Sequence, residues 1–448
     1  MFIGREKELK ILDSKINSDS FEFGIVYGRR RIGKTRLLQE VVKKYNAIYY
    51  VANEMGLEHN LRQLSKTVAN HFNQAFTFES LEQLFEYLVS RSKDEKTILI
   101  IDEFTYLMSS DKGILSIVQN IIDHSLLTSN LKLIISGSHV GMIEDSISYK
   151  KPLYGRTTFK LKIEAFDYFD AAKFYPKASE EEKVKYYSVF GGVPFYINRI
   201  NDKKSVKENI ISLLIEDGAM FEDEVNFFLS QEVRSVATYG KIINAIASGA
   251  TKLNEISTKA GISNTGTTSK YVEILINLGI VEREYCFGEG PNSRKTIYSV
   301  KDQLFKFNYK FLENLKTQKT IMGSDRFFNT YIEPHFNEFI SFEFEKICKQ
   351  FLMRKYKDSI EGIGRYWFND SKTKTDIEID IVMKRNQELF AFECKWTVAP
   401  IGKKEVKELE HKAQYLGETT IGFFSKSGFA KDIQNNYSFI LEDLYKFS

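Results

Sequence analysis

The stretch "FEFGIVYGRRRIGKTRLLQE", Phe21 to Glu40, decides the fold. A short apolar run, "GIVYG", ends in glycine, and "KTRLLQEVVKKY" follows with helical spacing. Between them stands G-x-x-x-x-G-K-T: Gly28, Arg29, Arg30, Arg31, Ile32, Gly33, Lys34 and Thr35, with Arg36 next. Strand, glycine loop and helix in that order are what a phosphate-binding loop requires. Glycines let the backbone curl until its N–H groups face phosphate oxygens, and the helix N-terminus adds a favourable dipole. Lys34 is the residue expected to reach the β- and γ-phosphates, and Thr35 the one expected to ligate Mg²⁺. Residues 28 to 36 are therefore the nucleotide-binding candidates, with ATP and Mg²⁺ as the expected cofactors.

A partner for that loop lies in "KTILIIDEFTYL", Lys96 to Leu107. Its apolar run suits a parallel strand buried on both faces, and such strands present ligand groups at their C-terminal ends. Asp102 is the expected Mg²⁺ partner and Glu103 the expected base for the attacking water. "LKLIISGSHV" repeats the pattern and ends in Ser136, Gly137 and Ser138. This end reads either as a γ-phosphate sensor or as a plain strand-end turn. Downstream, Arg156 in "KPLYGRTTFKL" is a candidate for stabilising phosphoryl-transfer charge, in cis or across a subunit boundary; the other reading is a surface arginine.

The bulk numbers bound these readings. A chain of 448 residues exceeds one ordinary core, so two to four domains are expected. Hydrophobic content of 43% and charged content of 27% are globular values. A net charge of +3 excludes a globally basic coat, though not local basic patches. The 3 cysteines have no C-x-x-C spacing, which argues against a zinc knuckle or disulfide framework and fits a reducing compartment. "MFIGREKELK" is charged too early for a secretory signal, and no apolar run is long enough to span a bilayer; the expectation is a cytoplasmic protein with no membrane partner.

The sequence "FIGREKELKIL", then "GRRRIGKTRLL", "LIIDEF", "LIISGSHVGM", "PLYGRTT" and "GGVPFYI" resembles the archaeal-type ATPase family, one of the additional-strand P-loop ATPases near the AAA+ and STAND groups. The resemblance covers roughly residues 1 to 230. It implies that the "IGRE" box, Ile3 to Glu6, lies near the nucleotide base, and that "GGVPFY" belongs to a helical lid.

Residues 239 to 300 read as helix, helix, short turn at Gly261–Asn264, helix, strand, loop and returning strand, the layout of a winged helix-turn-helix. One reading puts Thr267, Thr268, Ser269 and Lys270 in a DNA groove, with Arg294 and Lys295 on the wing. The other makes the module a packing element, since its second helix is poor in positive charge.

In the last third, "DIEIDIVMK" and "LFAFECKW" alternate about the polar "KRNQE", which predicts an antiparallel hairpin. Period two puts Asp376, Glu378 and Asp380 on one face of the first strand, and Glu393 with Lys395 on one face of the second. Asp380 and Glu393 could share one Mg²⁺, with Glu345 of the preceding helix as a further carboxylate and Lys395 beside the reacting phosphate. Asp, then E-x-K, is the PD-(D/E)xK nuclease signature; on an ordinary strand the same residues are a solvated face. This third also resembles the domain of unknown function that accompanies archaeal-type ATPases, and that resemblance implies a restriction-endonuclease-like fold.

The expected architecture is α/β: a P-loop core over 1–160, a helical lid over 161–235, a winged helix over 236–302 and a nuclease-like α/β domain over 303–448. The expected activity is ATP hydrolysis coupled to a DNA-directed, Mg²⁺-dependent nuclease domain. The alternative is a STAND-like switch whose last domain only binds. A homo-oligomer would suit an Arg156 acting in trans.

Overall fold

The computed structural model describes residues 2–290, 293, 295–370, 375–433 and 437–446. The wing candidate Arg294 lies outside the described residues. The chain divides into two compact units, 1–165 and 166–448. The second holds all three stretches that the sequence divides near 235 and 302.

The first unit is built on five parallel strands: β1 (Glu22–Tyr27), β2 (Ile48–Val51), β3 (Ile98–Asp102), β4 (Lys132–Gly137) and β5 (Phe159–Lys162). Their order is β2-β3-β4-β1-β5. Strands β1, β3 and β4 are buried along their whole length, as expected for a parallel sheet covered on both faces. Phe23, Ile25, Leu99, Ile101, Leu133 and Ile135 join one core, and each such side chain contributes roughly 1.5–3 kcal/mol by leaving water. The order has a functional consequence. Strand β4 separates β1, which feeds the phosphate loop, from β3, which ends in Asp102. The loops leaving all three strands therefore meet at the C-terminal edge, where open α/β sheets bind ligands.

The second unit begins with helices. Ser179 and Glu182 form a reciprocal cap on helix Glu180–Phe190. In "GGVPFYI", a β-carbon on Gly192 would fall 1.8 Å from the Phe166 carbonyl oxygen, so only glycine fits. Three helices follow, Val236–Ala247, Leu253–Lys259 and Thr265–Asn277, then the antiparallel pair β6 (Val281–Tyr285) and β7 (Thr296–Val300).

A 23-residue helix, Glu333–Lys355, leads into a mixed sheet of order β12-β11-β10-β9-β8. Its strands are β8 (Ile360–Asp370), β9 (Thr375–Arg385), β10 (Glu388–Lys395), β11 (Thr419–Ser425) and β12 (Ser438–Ile440). The first three are antiparallel and the last three parallel. The expected hairpin is β9–β10. Its two turn residues, Asn386 and Gln387, have φ of 50° and 68°, which suits the right-handed twist of a two-residue hairpin. The crossover from β10 to β11 carries helix Lys403–Ala413. That helix covers one sheet face through Leu409 and Ala413, which pack with Ile379, Ala391 and Phe423. The long helix covers the other through Phe351 against Phe424 and Phe439. Among the described residues, no helix is long and apolar enough to cross a membrane.

Candidate active sites: a phosphate loop and a carboxylate–lysine cluster

The loop from Gly28 to Gly33 turns between β1 and helix Lys34–Tyr45. Gly33 and Arg31 have φ of 91° and 69°, the left-handed conformations that curl the backbone. Lys34 is buried, and its ammonium donates to the carbonyl oxygens of Gly28 at 2.9 Å and Arg29 at 3.2 Å and to Ser138 Oγ at 3.0 Å. Thr35 Oγ1 donates to Asp102 Oδ2 at 2.8 Å. Phosphate loop and acidic strand are thus already joined. Arg29 is buried, Arg30 lies 3.5 Å from His139 Nε2, and Arg36 points outward to Glu40 at 3.1 Å.

Asp102 is fully buried, and its carboxylate is fully engaged. Besides Thr35 it accepts from Tyr49 at 2.6 Å, from the Glu103 N–H at 3.0 Å and from the Ser136 hydroxyl. Burial, and then the Asp102 hydrogen bond, holds the Tyr49 phenol well above its ordinary pKa, so Tyr49 remains a donor. Glu103 takes a left-handed φ of 54°, uncommon for a non-glycine residue and a conformation that clusters at functional sites. Its Oε1 accepts from Ser138 Oγ at 2.6 Å. Ser138 therefore bridges Lys34 and Glu103. The paired oxygens of Thr35 and Asp102 are hard donors of the kind Mg²⁺ takes.

Arg5 of the "IGRE" box sits against this loop rather than in solvent. Its guanidinium donates to the carbonyl oxygens of Ile32 at 3.2 Å and Glu164 at 2.6 Å. Arg156 is not brought to the phosphate loop. Its Nε and Nη2 donate to the two carboxylate oxygens of Asp123, at 2.8 and 2.6 Å, and its Nη1 donates to the Pro152 carbonyl at 3.0 Å. It lines an open cleft of about 460 Å³ with Ser20 and Phe21, which precede β1, whereas the phosphate loop follows β1. The in-cis expectation is corrected by that placement at the opposite end of the sheet.

The second constellation forms where β9 and β10 part. Their ladder runs as far as Ile381 opposite Phe392. Beyond it, Asp380 Oδ2 accepts the Cys394 N–H at 2.8 Å, closing the gap with a side chain. The β8–β9 register slips between Gly364–Val382 and Tyr366–Ile379, which puts one extra residue into β9 beside Asp380. Bulges of this kind re-aim side chains. Glu393 is buried, and its carboxylate accepts from Lys395 at 2.7 Å and from Lys412 at 3.1 Å. Burial raises the Asp380 pKa above its ordinary value, with Glu393 adding to it; burial, then Asp380, raises that of Glu345. Asp380, Glu393, Lys395 and Glu345 thus converge. Asp376 stays outside, where Asn369 donates to it at 2.7 Å; Glu378 pairs with Arg365 at the edge of the cluster, and its charge also acts on Glu345.

Crowded carboxyls with raised pKa values are what an oxygen-ligated cation would relieve, so the donor chemistry fits Mg²⁺. Among the described residues, however, no three metal-binding side chains are drawn together as a cage. Two lysines occupy Glu393 in its place. Sequence reasoning missed Lys412 and Tyr49 as site residues and reached Arg5 only through the resemblance that the "IGRE" box carries. No local signal marks the first two, which reach their sites through strand and helix adjacency.

Residues 2–200 match the family ATPase_2, described as an ATPase domain predominantly from Archaea, and residues 308–409 match DUF234, archaeal and bacterial proteins of unknown function. An uncharacterized protein of Methanocaldococcus jannaschii is 33% identical over 462 residues, spanning 100% of both chains. An uncharacterized ATP-binding protein of that organism is 42% identical over 43 residues, 10% of this chain and 73% of its own. The Walker-type ATPase of Pyrococcus abyssi shares the fold, with a TM-score of 0.52 at 18% identity, over 69% of this chain and 96% of that one. Phosphate loop, acidic strand, strand order and full-length relative agree: the chain belongs to the archaeal P-loop ATPase family and is an ATPase.

Proposed function

We propose that this ATPase couples its nucleotide state to a Mg²⁺-dependent nuclease centre acting on DNA. In the first unit, Lys34 and the loop N–H groups hold the β- and γ-phosphates. Thr35 and Asp102 would hold a Mg²⁺ ion, which would supply charge neutralisation at the phosphate. Glu103, aligned by Ser138, takes the proton of the attacking water. In the second unit, Asp380, Glu393 and Glu345 would hold an ion, and Lys395 would neutralise charge at the reacting phosphate.

The observation that carries the nuclease part is the meeting of Asp380, Glu393, Lys395 and Glu345 at the β9–β10 opening. Its test is a matched comparison. Lys395→Ala should lower Mg²⁺-dependent DNA cleavage by on the order of 10²–10³ while ATP turnover persists. If the wild type cuts neither DNA nor RNA with Mg²⁺ or Mn²⁺, the coupling to cleavage is refuted.

A second reading, the STAND-like switch, is favoured by one observation: two ammonium groups already neutralise Glu393. In either case we read residues 236–302 as a winged helix used for packing. Thr268, a base-reading candidate, is buried and 3.1 Å from Ser257 Oγ. The hairpin is tied down by Lys346 on Glu282 at 2.6 Å, and just beyond β6 the Phe287 N–H donates to the Arg365 carbonyl at 2.8 Å. DNA contact is therefore assigned to the last third of the chain.

A further inference from the structure

Helix Lys403–Ala413 carries more than Lys412. At helical spacing, Lys404, Lys407 and His411 lie along one exposed stripe that runs on to Tyr415 in the next turn. Tyr415 is 36% exposed and packs on Phe368 of β8, itself 36% exposed, with ring centroids 5.8 Å apart at 41°. The His411 ring stands 6.2 Å from that of Tyr415. Lys412, one turn before Tyr415, reaches the Glu393 carboxylate. A basic track thus leads to a half-exposed aromatic pair beside the carboxylate–lysine cluster. Acidic side chains temper the track without closing it: Glu408 pairs loosely with Lys404 at 3.8 Å and faces Lys395.

We propose that Phe368 and Tyr415 are a stacking platform for an unpaired nucleobase, so that the second unit takes single-stranded DNA. The inference rests on the DNA-directed reading of that unit. Lysines along the track match the charge of a phosphate backbone, and aromatic rings accept any base face without reading its edge. In a duplex the base faces cover one another, so the platform discriminates against paired DNA. A solely structural ring pair would need no neighbouring positive track.

The test uses the full chain in EDTA, so that binding is measured apart from cutting. Fluorescence anisotropy is read with a labelled oligothymidine and with a blunt duplex of equal length. The wild type should bind the oligothymidine more tightly. Phe368→Ala/Tyr415→Ala should weaken that binding about ten-fold, leave duplex binding unchanged and preserve ATP turnover. Tyr415→Phe, which keeps the ring, should bind like the wild type, and thermal unfolding confirms that each variant folds. Equal loss on both probes, no loss on either, or a change in sedimenting mass without loss of binding overturns the platform. Cleavage that ignores the two rings sinks the platform alone. Ring-dependent binding in a protein that never cuts sustains it and sinks the nuclease reading.

Discussion

Asp102 shows how much chemistry one buried carboxylate can organise. Four donors converge on its two oxygens, from four different stretches of chain. A buried carboxylate with so many donors is held in one orientation. Glu103 beside it has a different task, since its side chain touches Ser138 and, through that hydroxyl, Lys34. The two acids should therefore separate in experiment. Glu103→Gln keeps the Ser138 contact and should leave ATP affinity near wild type while slowing turnover by about 10²-fold or more. Lys34→Ala should instead weaken nucleotide binding itself. Affinity by fluorescent-nucleotide titration and turnover by phosphate release check both. Normal turnover in Glu103→Gln would remove it as the base, and unchanged affinity in Lys34→Ala would remove the phosphate-loop assignment.

At the scale of elements, the long helix Glu333–Lys355 joins two neighbours through a buried ionic group. Glu343 is fully buried and accepts from Lys306 of helix Gln303–Phe311 at 2.6 Å and from Gln303 at 3.2 Å. One turn on, Lys346 reaches Glu282 of β6. Burial opposes the Glu343 charge, but Lys306 and Lys346 outweigh it and hold its pKa below the ordinary 4.5. The sign follows. A lowered folded pKa means stability that is present above the unfolded value and is lost as pH falls through the folded one. Glu343→Gln leaves the partly exposed Lys306 without its counter-charge, while Lys346 keeps Glu282, and should cost about 1.5–3 kcal/mol at neutral pH. The gap between wild-type and variant melting temperatures should be steady from neutral pH to about 5 and shrink below it. A gap that widens in acid would refute the ion pair's role.

The same elements show what the sequence could and could not reveal. Strand β9 alternates cleanly, so period two groups Asp376, Glu378 and Asp380. One extra residue breaks that period, and partners on β8 claim the first two acids. Backbone register is decided between strands, and no local pattern announces it. The hairpin turn at Asn386 was legible because its chemistry is local. Thr268 looked available to DNA because helical spacing alone does not say which face Ser257 will cover.

Across the whole chain, the ATPase half was legible because its motifs are short, ordered and each tied to a strand end. Arg156 was not, because a loop arginine acquires a role only from where the sheet places it. Here it lies beyond the strand end opposite the phosphate loop and holds Asp123 through Nε and Nη2. Within one chain it cannot meet the γ-phosphate, so a catalytic part would need a second copy. Two outcomes follow from that geometry. In a monomeric enzyme, Arg156→Ala loses only a partly exposed ion pair, about 1 kcal/mol or less, and kcat stays at the wild-type value at every protein concentration. In an assembly that delivers Arg156 to a neighbour, Arg156→Ala would lose on the order of 10³-fold in kcat, and mixing it with Lys34→Ala protein would restore turnover. The bidentate Asp123 pair leads us to expect the first result. Rescue on mixing would overturn it and make the shared site, rather than the single chain, the unit that hydrolyses ATP.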